Sequence, residues 1–277
     1  MNLFHNYTKP GPGVPKNEPR KKGIKLFFEL YFRKTGTYIL LNLLYLLTLI
    51  PAIAIIWYIL MFLLNTVLPL NNELLLTATA LTFVLSVTLC CVFSLSPFAA
   101  GFHYILRNCS FEMHTFVFTD FIDKFRKNMK NSIIFFFIDL IAVCLSLFCI
   151  SAYLILSISI PLLVIPLTLF CIALIVYALM TPYKWSMLVT FELSKKQILK
   201  NSLFFVLGNF KTTCQHFIIT FLFILSGLIF IYILPIPGII AFILLGPSAL
   251  GLISHLIIYN QIYDLISKSP DGFDKIN

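Results

Sequence analysis

Six stretches of this sequence stay apolar for about twenty residues or more, and no other feature limits the fold so strongly. A hydrocarbon layer about 30 Å thick needs roughly 20 apolar residues of helix to cross it. Inside that layer a chain must also satisfy its own backbone hydrogen bonds, which leaves helices as the simple solution. The runs cover about 37–64, 74–104, 132–158, 161–183, 214–234 and 237–264. The expectation is therefore an all-α membrane protein with six transmembrane helices, occupying residues 25–267 between cytoplasmic tails at 1–24 and 268–277. Composition agrees: 60% of residues are hydrophobic and the mean hydropathy is +0.96, against about 45–50% apolar in soluble domains. Pro51 falls inside the first run, where it is expected to kink the helix or end it early.

Charge sets the orientation. Of the 20 Lys and Arg residues, eight precede the first span, five lie between spans two and three, five between spans four and five, and two follow the sixth. The three remaining connections carry none. Basic residues stay on the cytoplasmic side, so both termini are expected there, beside anionic inner-leaflet lipid. The surplus of +9 is thus a topology signal rather than a nucleic-acid footprint, because the basic residues are dispersed and no recognition motif organises them. The N-terminal "MNLFHNYTKPGPGVPKNEPRKKG" lacks the apolar core of a cleaved signal and reads as a flexible tail. The seven cysteines show neither CxxC spacing nor companion histidines, so neither a metal nor another cofactor is expected.

One charged island interrupts the grease. In "FTDFIDKFRKNMKNS" the apolar positions Phe118, Phe121, Ile122, Phe125 and Met129 recur at helical spacing. The opposite face carries Asp120, Asp123, Lys124, Arg126, Lys127 and Lys130, with two favourable i,i+4 pairs. Such a helix is expected to lie in the membrane interface, with Phe118, Phe121 and Phe125 down, the latter two at lipid or bundle depth, and Lys124 and Lys127 towards water. It reads as an elbow anchoring the third span, with a partner-docking surface as the other reading. In the next basic loop, Ser194 and Gln197 have the spacing of a capping box for a helix starting near Lys195, and Gly208 and Asn209 mark its end.

Short echoes link the basic segments. "KNSIIFFF" at Lys130 resembles "KNSLFFVL" at Lys200, and "SPFAAG" at Ser96 shares P-x-A-x-G with "GPSALG" at Gly246. They point to three in-out-in hairpins, each reached through a basic, aromatic elbow, and to a parallel rather than an inverted repeat. The segments "KPGPGVPKNEPRKKG", "LLNLLYLL", "SPFAAGFHYILRN", "FTDFIDKFRKNMKNS" and "MLVTFELSKKQILKNS" together resemble the YesL-like family of bacterial integral membrane proteins across nearly the whole chain. Ser96 departs from the Gly that commonly precedes the Pro in such proteins. The resemblance implies a multi-pass protein of the bacterial cell membrane with a link to carbohydrate uptake. It implies no catalytic or binding residues, because the family is itself a domain of unknown function.

Polar groups inside the spans gather on one side. Asp139 lies nine residues beyond Lys130, about 13 Å along a helix, and a carboxylate at that depth calls for a partner. His255 sits at matching depth nine residues before Asp264, and Asn42, His103 and His216 also fall in cytoplasmic halves. With no Lys or Arg assigned to any span, Asp139 is expected to meet His255, or else His103, Asn42 or His216; a water-lined crevice is the alternative. Three functions compete: an accessory or regulatory component touching a sugar-import complex, a small-solute permease with a cytoplasm-facing polar vestibule, and an intramembrane enzyme. The last finds no HExxH, GxSxG, paired aspartates or phosphate loop, so no enzymatic activity is expected.

Overall fold

The computed structural model describes residues 23–67 and 72–267; the bulk of both expected tails and the connection around Leu68 lie outside the described residues. The described chain is mostly helical: α1 Ile24–Arg33, α2 Thr35–Val67, α3 Asn72–Val92, α4 Ala99–Ser110, α5 Val117–Ser159, α6 Val164–Thr190, α7 Lys195–Gly208, α8 Phe210–Ile233 and α9 Pro235–Ser267, with a single 3-10 turn at Pro161–Leu163 before α6. Five of these elements are long and apolar enough to cross a membrane, and α3 adds a shorter apolar stretch at Ala78–Val92. Their outward faces carry Ile141, Leu145, Ile172, Leu222 and Ile229, all exposed. An aqueous protein rarely leaves so continuous an apolar surface uncovered. This is a multi-pass membrane protein.

Three expectations about boundaries change. Residues 74–104 do not form one helix: α3 stops at Val92 and α4 starts at Ala99. Pro97 brings no N–H to an unbroken ladder. Ser94 takes a left-handed φ of 51°, while Ser94 N–H donates to the Cys91 carbonyl and Leu95 N–H to the Cys90 carbonyl. That pair of bonds is a Schellman closure, with Ser where Gly is usual. Conversely, α2 continues past Pro51 to Val67, so the early end does not occur. The charged island is not a separate elbow either, because it is the first third of α5, whose 43 residues extend about 65 Å.

The broken second run gives the fold its centre. All twelve residues of α4 are buried, packed among α5, α6 and α9. Two glycines permit this. A Cβ at Gly101 would strike the Phe121 carbonyl of α5, and one at Gly251 of α9 would strike Leu106 of α4. The shared P-x-A-x-G pattern therefore marks two close helix crossings, each made by a small residue as membrane bundles favour. Around α4, α9 is the most deeply packed, whereas α8 and the first part of α6 lie along the perimeter and the last turns of α6, from Leu179 to Leu188, are buried.

At one end of the bundle α1 buries Leu26, Leu30 and Tyr31 and exposes Ile24, Phe28 and Phe32. The exposed residues recur every four positions, and the Phe28 and Phe32 rings stack, so α1 presents a second apolar row outward. Helix α7 begins with the expected capping box: Gln197 N–H donates to Ser194 Oγ, and Ser194 N–H donates to Gln197 Oε1.

Candidate functional site

Asp139 is wholly buried, and its partners are not histidines. Lys184 Nζ donates to Oδ2 at 2.5 Å and the Tyr177 hydroxyl donates to Oδ1. This corrects the expected Asp139–His255 contact. Lys184 belongs to α6, which continues past the assumed span end at Tyr183 as far as Thr190. Its ammonium lies 5.2 Å from the Trp185 ring, 5.5 Å from Tyr177 and 5.8 Å from Phe135. A lysine so enclosed balances a buried carboxylate by both charge and hydrogen bond, with aromatic faces in support.

A signal for this pair was present in the sequence. Asp139 lies 22 residues before Pro161 and Lys184 lies 23 after it. Two helices that fold back on each other at Ile160–Pro161 must bring those residues to one level. The same symmetry about Leu234 and Pro235 pairs His216 with Ser254, whose side chains are 2.8 Å apart.

The two central histidines do meet each other. His103 Nδ1 and His255 Nε2 are 3.0 Å apart. Beyond them, His103 Nε2 lies 2.7 Å from Ser94 Oγ and His255 Nδ1 lies 3.1 Å from Ser186 Oγ. Each neutral imidazole has one N–H and one bare nitrogen, so the four side chains form a wire satisfied in either of two directions. Every hydrogen along it can point from Ser94 towards Ser186, or the reverse. Trp185 stacks on His103 at 5.8 Å, which holds the ring in place. The left-handed backbone at Ser94 has a use here, since the helix break aims its hydroxyl at His103.

Asn42 does different work. Its Oδ1 accepts from Ser248 N–H at 2.8 Å, and its Nδ2 donates to the Leu244 carbonyl at 2.7 Å. Those two backbone groups, four residues apart, would bond each other in an unbroken helix. Pro247 lies between them, and the Asn42 amide bridges the two groups from α2. The Tyr31 hydroxyl donates to the neighbouring Leu245 carbonyl and also hydrogen-bonds Ser248. Burial pushes the Tyr31 phenol above its ordinary value.

Arg107, at the end of α4, is 1% exposed. Its Nη1 donates to the Val189 carbonyl and Thr190 Oγ1, while Nε and Nη2 donate to Asn108 Oδ1. All these oxygens are neutral. The guanidinium closes the last turn of α6, where free carbonyls and the helix dipole favour a cation. Arg107 and Lys184 are thus interior structural cations, although both belong to the twenty basic residues used to read topology.

The anchor residues divide between two surroundings. Phe121 is buried, and Phe121 and Phe125 stack on Phe98 at 6.1 and 3.8 Å. Lys124 lies half-buried with Nζ 4.3 Å from the Tyr104 ring, and Lys127 is exposed. Phe118 and Met129 face outward. The expected single apolar face is therefore split. Its middle packs on α4, so Phe121 and Phe125 lie at bundle depth, one of the two depths expected for them.

His103 and His216 also border a cavity of about 150 Å³ between α6, α8, α9 and the α3–α4 break. Among the described residues no cluster of His, Cys, Asp and Glu could hold a metal ion. Compared with protein-family models, curated proteins and solved structures, the chain matches none.

Proposed function

We propose that this chain is a six-span, YesL-like protein of the bacterial cell membrane, with both termini cytoplasmic. It acts without enzymatic chemistry, as an accessory or regulatory component linked to carbohydrate uptake. The observation that carries the reading is how the interior polar groups are used. Asp139 with Lys184, Asn42 with Ser248, His103 with His255 and Arg107 with Val189 each tie one helix to another. Such ties favour a rigid platform over a moving conduit. Exposed Phe28, Phe32 and Phe118 lie close in sequence to basic residues, a composition suited to anionic lipid and to a membrane-bound partner such as a sugar-import complex.

The test is co-purification from native membranes. A sugar-importer subunit should accompany the wild-type chain and be lost with Lys127→Glu/Lys130→Glu; its recovery with neither chain removes the accessory reading. Labelling of Lys196 from outside intact cells would remove the topology. The cavity supports a second reading as a small-solute permease. Solute flux into liposomes holding the purified chain, compared with empty liposomes, separates the two.

A further inference from the structure

The cavity beside His103 and His216 has three properties that together define an occupant. Its volume of about 150 Å³ is of the size that admits a benzene ring when the lining is apolar. Most of its wall is apolar, including Phe102, Ala178 and Leu250. Three wall residues, Ile175, Phe217 and Phe221, are also 40%, 41% and 55% exposed on the outward faces of α6 and α8. The opening is therefore on the perimeter that meets hydrocarbon, and whatever enters must first dissolve in lipid.

The remaining wall is not apolar. Thr220 lines the cavity, and its Oγ1 is buried without a hydrogen-bond partner. A helical threonine commonly bonds the carbonyl one turn back, so an idle buried hydroxyl is an exception that asks for an explanation. Ser94 and Ser254 also border the space. Each is engaged with a histidine, Ser94 with His103 and Ser254 with His216, yet a hydroxyl oxygen has two acceptor positions and can take a further donor. The apolar bulk of the cavity suits a ring or short branched chain, and the polar edge suits one hydroxyl. A charged headgroup would meet no Lys, Arg, Asp or Glu in the lining.

We propose that this cavity is a binding site, reached sideways from the bilayer, for a small lipid-soluble alcohol or phenol. The ring lies against Phe102 and Phe221, and the hydroxyl accepts from Thr220 Oγ1–H and donates to one serine oxygen, Ser94 Oγ or Ser254 Oγ, at the polar edge. The site is independent of the carbohydrate-uptake reading and of any partner.

The test uses the full chain in lipid nanodiscs with 4-fluorophenol as probe, followed by fluorine NMR, and with fluorobenzene as the matched probe lacking a hydroxyl. Expected is a saturable, protein-dependent fluorine signal for 4-fluorophenol, with at least fivefold weaker binding of fluorobenzene at equal concentration in the lipid. Ala178→Phe, which fills the space, should abolish the signal. Thr220→Val, which keeps the shape and removes the hydroxyl, should weaken 4-fluorophenol binding and leave fluorobenzene unchanged. If Ala178→Phe fails to fold, the Thr220→Val comparison decides alone. A signal no different from empty nanodiscs overturns the proposal. So does equal binding of the two probes, which would make the cavity an apolar void, or full binding by folded Ala178→Phe.

Discussion

Lys184→Met keeps an unbranched side chain, one atom shorter, and removes the charge that faces Asp139. The carboxylate then retains the Tyr177 hydroxyl and loses its ammonium. Two opposite charges about 4 Å apart attract by about 4 kcal/mol at an effective dielectric constant near 20, and the Nζ–Oδ2 contact here is closer, at 2.5 Å. The Tyr177 bond, made to a charged acceptor, is worth about 1.5–3 kcal/mol, so it cannot replace the lysine. Breaking a buried pair by removing one member costs about 3–5 kcal/mol, whereas replacing both by apolar residues of similar volume is often near neutral. Lys184→Met should therefore destabilise the protein by about 3–5 kcal/mol, and Asp139→Leu by a similar amount. The double variant should be less destabilised than either single one. Reversible unfolding in mixed micelles, followed by intrinsic fluorescence, measures all four corners of the cycle. Additive single effects, with a coupling below about 0.5 kcal/mol, would refute the assignment of Lys184 as the partner of Asp139.

In the same assay, Asp139→Asn should be milder than Asp139→Leu, because an amide oxygen still accepts from Tyr177; equal losses would count against that bond. Asn42→Ala removes the amide from both Ser248 N–H and the Leu244 carbonyl, at about 1–3 kcal/mol for each group left unpaired, and Pro247→Ala, whose new N–H would face the Ile243 carbonyl, should recover part of the loss by letting the helix close more regularly. No loss in the Asn42 variant would mean that α9 closes by itself. Ser94→Ala and Ser94→Gly both remove the hydroxyl on His103, but only glycine relaxes the left-handed backbone, so Ser94→Gly should be the more stable by about 1 kcal/mol; the reverse order would exclude that conformation. Gly101→Ala pushes a methyl against the Phe121 backbone, and about 1–3 kcal/mol of overpacking cost is expected, read as a lower unfolding midpoint.

What the sequence determined by itself were the properties that act locally or by summation. Runs of apolar residues dictate membrane helices whatever they touch, and the Ser194–Gln197 cap forms because both partners lie within one turn. The helical spacing of Phe121 and Phe125 put them on one face before any partner was known. What covers that face was decided by the tertiary structure, because a run read as one long span breaks at Ser94–Pro97 and sends α4 through the centre of the bundle. The partner of Asp139 escaped for a related reason. Ending a span at the first charged residue placed Lys184 in a loop, although the helix continues and a buried carboxylate lies opposite. Asn42 shows the limit most clearly. Nothing near it in sequence distinguishes it from any polar residue in a span, since its role comes from two backbone groups about two hundred residues away. Helix propensity and hydropathy are sums over neighbours in sequence, whereas the matching of buried donors to acceptors depends on neighbours in space, and those exist only once the helices have packed.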